Sequence, residues 1–548
     1  MREMKPAQVA AERLSGFISE LMPWWPLHGG AVAIVDREGT LAQFGFGLAD
    51  AERSTAATAR QLFQIGSISK TVLGVVVQQL VDEGVVDLDE AISVSLPWAE
   101  VGGESPTWRA LLSHTAGLIM GGDGVPDDLA QLWALRGLVR SDEQHFHYSN
   151  LGFMLLGRAL EARTGRTVAE LIATRVLEPL AMTSSAGSIE WWSRERSAVG
   201  YWPLRDDLPW APGDPLTPAA WFRIDSADGC VTSSASDMAR FARLLLSDGD
   251  VDGTRVMSAA AIERMSTPTA NDGEDIVSRT TGPQVTSSQY GLAVNVETIG
   301  GHACLTHGGG MVGFQSFVLA DRSEGVGVVV LTNANGCYPV AQVIARAAYQ
   351  LLVDPDASLP RAPDAIAANG PTPVVGTFAS VADPTLTVSV EVDRGQLLLR
   401  GGDRVGRLTR LWSGRYVTDH PDLRTFHWDL SEDGRTWTYG PLVLGASTES
   451  HGRSLSEEDE ALIGAYRSYS PWFPWLRIIT RNGRLILVAP GGVEAPAEEM
   501  ELVGLGEGHW RIGSDGWLPE RLECGPVVNG MALSVLRDGV PYSRTMPS

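Results

Sequence analysis

Near residue 356 the chain changes character, and that change limits the folds open to it more than any other feature. From about residue 7 to residue 352 amphipathic helices mix with irregular runs and a few strands. Pro355 to Pro373 is rich in Pro, Ala and Asp, and beyond it come only short strands and turns. The late part also repeats. Gly376-Thr377-Phe378-Ala379-Ser380 matches Gly464-Ala465-Tyr466-Arg467-Ser468, and Gly395-Gln396-Leu397-Leu398-Leu399 matches Gly483-Arg484-Leu485-Ile486-Leu487, both 88 residues on. Leu411, Gly414 and Tyr416 match Leu505, Gly508 and Trp510 at an offset of 94, which places a six-residue insertion after Gly483. Equally spaced strand-like segments predict two small antiparallel all-β domains in tandem, as up-and-down barrels. The expected division is a first domain at 1–355, a linker at 356–373, and barrels at 374–450 and 451–548.

Within the first domain, residues 7–22 read as a helix. Ala31 to Asp36 and Thr40 to Leu48 flank Arg37-Glu38-Gly39 as a hairpin. Helical spacing then dominates: Ser67 to Glu83, Leu151 to Arg163, Val168 to Val176, and Ser236 to Leu246. Strand-like runs return at Tyr290 to Val296, Gly313 to Ala320 and Val326 to Leu331, followed by a helix from Val340 to Leu352. Strands that bracket a helical middle predict one sheet built from both ends of the domain. The fold class is a mixed α/β (α+β) sandwich, not an alternating βαβ series.

Charge and cysteine usage narrow the partners. A net charge of −23 argues against nucleic-acid and anionic-membrane partners. No apolar run reaches the ~18 residues of a membrane span. The segment from Met1 to Leu21 has no continuous apolar core and no small-residue cleavage site, so a cytoplasmic location is expected. Cys230, Cys304, Cys337 and Cys524 are scattered, so neither zinc nor a disulfide framework is expected, and no metal or cofactor is invoked. A small molecule or short peptide is the expected substrate, and a homo-oligomer is compatible with the sequence.

Four stretches carry chemistry. Ser67-Ile68-Ser69-Lys70 opens an apolar helix, and positions i and i+3 share a face, so a hydroxyl can stand beside an amine that takes its proton. Lys5 and Lys70 are the only two lysines in the chain; Arg, which cannot give up its proton near neutral pH, fills the other basic positions. Tyr148-Ser149-Asn150 precedes a helix; a phenol can relay a proton and an amide can orient a lysine. Thr306-His307-Gly308-Gly309-Gly310 lets a ligand approach the backbone. His114, in Leu112-Ser113-His114-Thr115-Ala116-Gly117-Leu118, reads as structural. Each stretch alone is also an ordinary helix cap or glycine turn.

Together, in this order and spacing, they resemble the penicillin-recognising serine hydrolases. The resemblance covers about residues 8–352 and is to the class C β-lactamase-like branch, which includes D-aminopeptidases, D-amino-acid amidases, esterases and D,D-carboxypeptidases. Phe63 to Thr71 and Asp228-Gly229-x-x-Thr232-Ser233 through Phe241 look like that branch. The resemblance implies a β-lactamase/transpeptidase-like fold with lipocalin-like barrels behind it. It implies that Ser67 is acylated, that Lys70 and Tyr148 move the proton, and that Asn150 positions Lys70 and a substrate amide. Backbone N–H groups of Ser67 and Gly310, beside Gly309, would form the oxyanion hole. His307 stands where class C β-lactamases carry Lys in a Lys-Thr-Gly triplet, which points to the peptidase, amidase and esterase members.

The expected function is therefore hydrolysis of D-amino-acid-containing peptides or amides. A carboxylesterase or an acyl transferase (peptide cyclase) on the same fold is the alternative, and a non-catalytic peptide-binding protein is the alternative of another class. The aromatic stretch at 189–225 is a candidate acyl pocket, and Ser470-Pro471-Trp472-Phe473-Pro474-Trp475 is the candidate barrel loop for the active-site rim.

Overall fold

The computed structural model describes residues 6–100, 104–121, 145–274, 285–334, 339–359, 371–380, 383, 385–445, 455–489, 491 and 498–545. Cys337 lies outside them, as does most of the expected linker.

Eight strands form the first sheet: β1 Leu27–Asp36, β2 Thr40–Asp50, β3 Thr55–Ala56, β4 Val285–Tyr290, β5 Asn295–Ile299, β6 His302–Met311, β7 Phe314–Asp321 and β8 Val326–Ala334. Their order is β4-β5-β6-β7-β8-β1-β2-β3. The two ends of the domain meet at an antiparallel ladder between β8 and β1, with Ala31 opposite Leu331 and Ile34 opposite Val328. This is the sheet expected from strands bracketing a helical middle.

Alternation along the central strands fixes which helices cover which face. Val32, Ile34, Val328 and Val330 point into a core with helix α1 (Pro6–Leu21) and with the last helix of the domain, Val340–Val353. Ala31, Ala33, Val35, Val329 and Leu331 point the other way, into the core that holds α2 (Ile68–Asp82), α3 (Asn150–Thr164) and α4 (Ala235–Leu246). Shifting β1 by one residue would exchange these faces. α2 is apolar nearly all round, and 12 of its 15 residues are buried, as a helix at the centre of a core must be.

Two local readings needed correction. The run Tyr290 to Val296 is not one strand but the turn between β4 and β5. Gly291 is pressed against the Met265 carbonyl, 2.0 Å from where a Cβ would stand, and Ala293 adopts φ 65°, so the chain reverses there. The helix predicted from Val168 to Val176 is α-helical only to Ile172 and widens into a π turn over Ala173–Leu177. The triplet Gly308-Gly309-Gly310 lies within β6.

The repeat corresponds strand for strand. Gly376–Ala379, Thr387–Asp393 and Gln396–Gly401 recur as Gly464–Arg467, Trp475–Arg481 and Arg484–Ala489. Arg404–Arg410 recurs as Glu498–Gly506, on the far side of the insertion. The second set closes as an eight-stranded barrel through the pairing of Gly464–Arg467 with Val540–Arg544. The first set is an eight-stranded sheet whose edges, among the described residues, meet at the Ser380–Leu444 bridge.

Both β-units dock on the first domain. Trp412 meets Trp25 edge to face at 5.8 Å. Trp475 Nε1 donates to Asp206 Oδ1 at 2.8 Å, and Phe222 lies against Trp472 with ring centroids 5.7 Å apart.

Candidate active site

The turn before α2 presents Ser67. Strand Leu62–Gln64 ends at Ile65, Gly66 turns the chain with φ 53°, and Ser67 takes the N-cap position of the helix. An N-cap serine ordinarily accepts a helix N–H. Here its side chain makes no such capping bond. Instead Lys70 Nζ donates to Ser67 Oγ at 2.8 Å. The same ammonium donates to Asn150 Oδ1 at 2.6 Å and to the Asp228 carbonyl at 2.8 Å. Lys70 is fully buried, so its donors point at these three oxygens and not at bulk water. The i, i+3 spacing on α2 therefore delivers the juxtaposition read from the sequence.

Asn150 and Tyr148 arrive on the loop that starts α3. Ser149 caps that helix, its Oγ accepting from Gly152 N at 2.9 Å. The cap turns Asn150 toward Lys70, and Tyr148 sets its ring 4.9 Å from Lys70 Nζ. His114 holds the loop from below. Its Nδ1 accepts from Ser149 N–H at 3.0 Å, and its carbonyl accepts from His147 N–H at 2.8 Å. Burial drives the His114 imidazole well below its usual range, with Lys70 adding to the effect. A buried neutral ring that braces a loop fits the structural reading of His114.

β6 forms the opposite wall. Only Asn295–Ile299 pairs with it on one edge, and that pairing stops at Thr306, so His307 to Met311 continue with β7 alone. Gly309 and Gly310 there meet the Ser67 turn. A Cβ on Gly309 would lie 2.0 Å from the Ile65 carbonyl oxygen. Ser316 Oγ, across the ladder on β7, donates to that same carbonyl at 2.7 Å. The glycines are needed for contact between backbones.

His307 is fully buried within this wall. Its Nδ1–H donates to the Gly308 carbonyl at 2.6 Å, leaving Nε2 to accept from Tyr290 O–H at 2.9 Å. Burial pushes the imidazole down to about 3, against the Gly308 bond that raises it. His307 is therefore neutral at neutral pH and presents no positive charge of its own.

The structure thus brings Ser67, Lys70, Asn150 and the ring of Tyr148 together, with Gly309 and Gly310 against the turn. His307, bonded to Tyr290, projects on the same side of β6 as Gly309, its ring centroid 6.4 Å from that of Tyr148. The sequence reading missed the Asp228 carbonyl, a backbone acceptor without side-chain signature, and Tyr290, which falls on the mispredicted strand. It also missed Glu274, whose Oε2 accepts from Asn295 Nδ2 at 2.6 Å and whose carboxyl burial pushes up to about 7. Among the described residues no group of three or more His, Cys, Asp or Glu could hold a metal, and no helix is long and apolar enough to cross a membrane. The segment Ser470 to Trp475 reaches the first domain at Phe222 and Asp206. The loop before Tyr148 is met by a different part of the second barrel, Trp517 and Glu520.

Comparison with known proteins gives the family and the fold. The family model described as Beta-lactamase matches residues 25–353. Penicillin-binding protein 4 of Amycolatopsis lactamdurans is 32% identical over 254 residues, which cover 43% of this chain and 64% of that protein, just under two thirds of its length. A D-aminopeptidase of Gluconobacter oxydans (strain 621H) is 26% identical over 403 residues, covering 71% of this chain and 70% of that protein. The octameric penicillin-binding protein homologue from Pyrococcus abyssi shares the fold. It has a TM-score of 0.59 and 23% identity, covering 79% of this chain and 99% of that one.

Proposed function

We propose, for a chain that belongs to the beta-lactamase family of serine hydrolases, an acyl-enzyme mechanism on Ser67 that opens amide or ester bonds of D-amino-acid-containing peptides or amides. The observation that carries this reading is the bonding of Lys70 to Ser67 Oγ on one side and to Asn150 Oδ1 and the Asp228 carbonyl on the other. In its neutral form the amine accepts the Ser67 proton as Oγ attacks the scissile carbonyl. Tyr148, beside the amine, shuttles the proton to the leaving group, and the Ser67 and Gly310 N–H groups take the developing oxyanion. Asn150 keeps Lys70 in register and offers its amide to the substrate, with Gly309 letting the substrate lie close to β6. Water then releases the acyl group.

The substrate class rests on His307 in place of a lysine, neutral and tied to Tyr290, and on the similarity to a D-aminopeptidase over 71% of this chain. A wall without a cation offers little to the carboxylate of a β-lactam. Assigning catalysis to residues 1–355, with 374–450 and 451–548 as appended β-domains, belongs to the same proposal. Cys230, Cys304 and Cys524 are free thiols, which suits a reducing, cytoplasmic location. A homo-oligomer is also proposed, on the precedent of the octameric structural neighbour. One panel tests the reading: D- and L-aminoacyl amides, matching esters and nitrocefin, on a single preparation. Preferred turnover of D-aminoacyl amides supports it. Turnover confined to simple esters moves the protein to the esterase branch.

A further inference from the structure

We infer that Glu520, on the second barrel, is a positioning residue for the chemistry at Ser67: its carboxylate ties the segment at Met120 to the loop that carries Tyr148 and Asn150. The inference rests on the acyl-enzyme reading above. Glu520 Oε1 accepts from the Met120 N–H at 3.0 Å and from His147 Nε2 at 2.6 Å. Each partner is one covalent or hydrogen-bonded step from the site. The Met120 carbonyl accepts the Asn150 N–H at 2.7 Å and the Leu151 N–H at 3.2 Å, and Asn150 in turn accepts from Lys70. His147 directly precedes Tyr148, and its own N–H is held by the His114 carbonyl. A single oxygen, 373 residues from His147 in sequence, therefore holds the Tyr148–Asn150 side of the cleft around Lys70 at two points.

The loop bearing Glu520 is built to hold that place. It joins His509–Ile512 to Arg521–Cys524 and is closed at its base by Ile512 N–H donating to the Glu520 carbonyl at 3.1 Å. Leu518 N–H donates to the Asp515 carbonyl at 3.2 Å, and Arg521 clasps the Leu518 and Glu520 carbonyls at 2.8 and 2.9 Å. Trp517 stacks on His145 with ring centroids 4.5 Å apart and planes 13° from parallel, and meets His147 edge-on. Glu520 is buried, which is the largest single effect and by itself would raise its carboxyl; the His147 and Met120 contacts together offset this and hold the group below the usual range. A buried carboxylate that accepts two N–H bonds is a strong, directional tie. Cutting it leaves the Met120 segment and the Tyr148–Asn150 loop to find their positions without the barrel.

The test compares the full-length chain with Glu520→Ala, Glu520→Gln and His147→Phe. The readout is the rate of Ser67 labelling by a fluorophosphonate across a range of probe concentrations, with a thermal melt of each variant. Gln keeps an oxygen for both donors; Ala keeps neither. Phe keeps an aromatic face for Trp517 but has no donor. Glu520→Ala and His147→Phe are expected to lower the limiting rate about tenfold or more, with the half-saturating concentration moving less than about twofold. Glu520→Gln should restore the rate to within about threefold of the parent. If Glu520→Ala fails to melt cooperatively, His147→Phe decides. Parent-like limiting rates in the folded variants overturn the inference, as does a Gln variant that is no better than Ala. Labelling of the parent that Ser67→Ala abolishes keeps these outcomes separate from the acyl-enzyme reading. A parent chain that is not labelled at all overturns both.

Discussion

Gly66 and Gly310 touch through their backbones: a Cβ on Gly66 would lie 2.5 Å from the Gly310 carbonyl oxygen and 2.7 Å from its nitrogen. Gly66 also holds φ 53°, where a side chain is strained whatever the space. The turn that presents Ser67 and the strand that faces it are therefore set against each other by two residues without side chains. Gly66→Ala is expected to cost about 1–3 kcal/mol of stability. It should also cut Ser67 labelling about a hundredfold, because the two walls can no longer close to the same distance. Calorimetry and a fluorophosphonate time course measure the two effects. Parent-like labelling would show that β6 retreats without consequence.

Lys70 makes three hydrogen bonds that only an amine of its length can make from α2. Lys70→Arg keeps the charge but cannot release a proton, and its planar fork does not fit three converging oxygens. Turnover should fall about 10²–10⁴-fold, the range expected for loss of a general base. Asn150→Leu, which removes one of the three oxygens and keeps the bulk, should reduce turnover by less than Lys70→Arg. Initial rates on any accepted amide or ester decide this; equal rates for Lys70→Arg and the parent would remove Lys70 from the mechanism.

His307 makes stability depend on pH in a definite direction. Its imidazole is held at about 3 in the folded chain and returns to about 6.5 on unfolding. The unfolded state therefore binds the proton first as pH falls. The contribution is fully present above pH ~6.5 and is lost progressively as pH drops toward ~3. Between pH 7 and pH 5 the loss amounts to about 2 kcal/mol. His307→Gln can still donate to Gly308 and accept from Tyr290 but does not titrate, so its melting temperature should fall less steeply on acidification. Parallel melting curves for the two proteins across pH 5–7 would contradict the neutral, buried assignment.

Much of this architecture could be read from local patterns, because local patterns create it. Alternation in Ala31 to Val35 and in Val328 to Leu331 announces a sheet buried on both faces. The spacing of Ser67 and Lys70 announces a shared helix face, and the strands Gly376–Ala379 and Gly464–Arg467 announce a repeated unit. What could not be read depends on contacts between distant segments. The turn at Gly291 exists because Met265 crowds it, and nothing in Tyr290 to Val296 records that neighbour. The carbonyl of Asp228 reaches Lys70 through chain path alone. Trp472 carries the aromatic signal expected of an active-site rim and meets the first domain at Phe222, but the loop that grips the Tyr148 segment is marked only by one carboxylate and one tryptophan.

The central claim is a covalent intermediate on Ser67, and the most direct measurement traps it. The protein is mixed with a D-aminoacyl ester, quenched in acid within the first turnover, digested and mapped by mass spectrometry. The account predicts one added acyl mass on the peptide containing Ser67, chased by water and absent from Ser67→Ala. An adduct on any other residue, or undiminished turnover by Ser67→Ala, would contradict it.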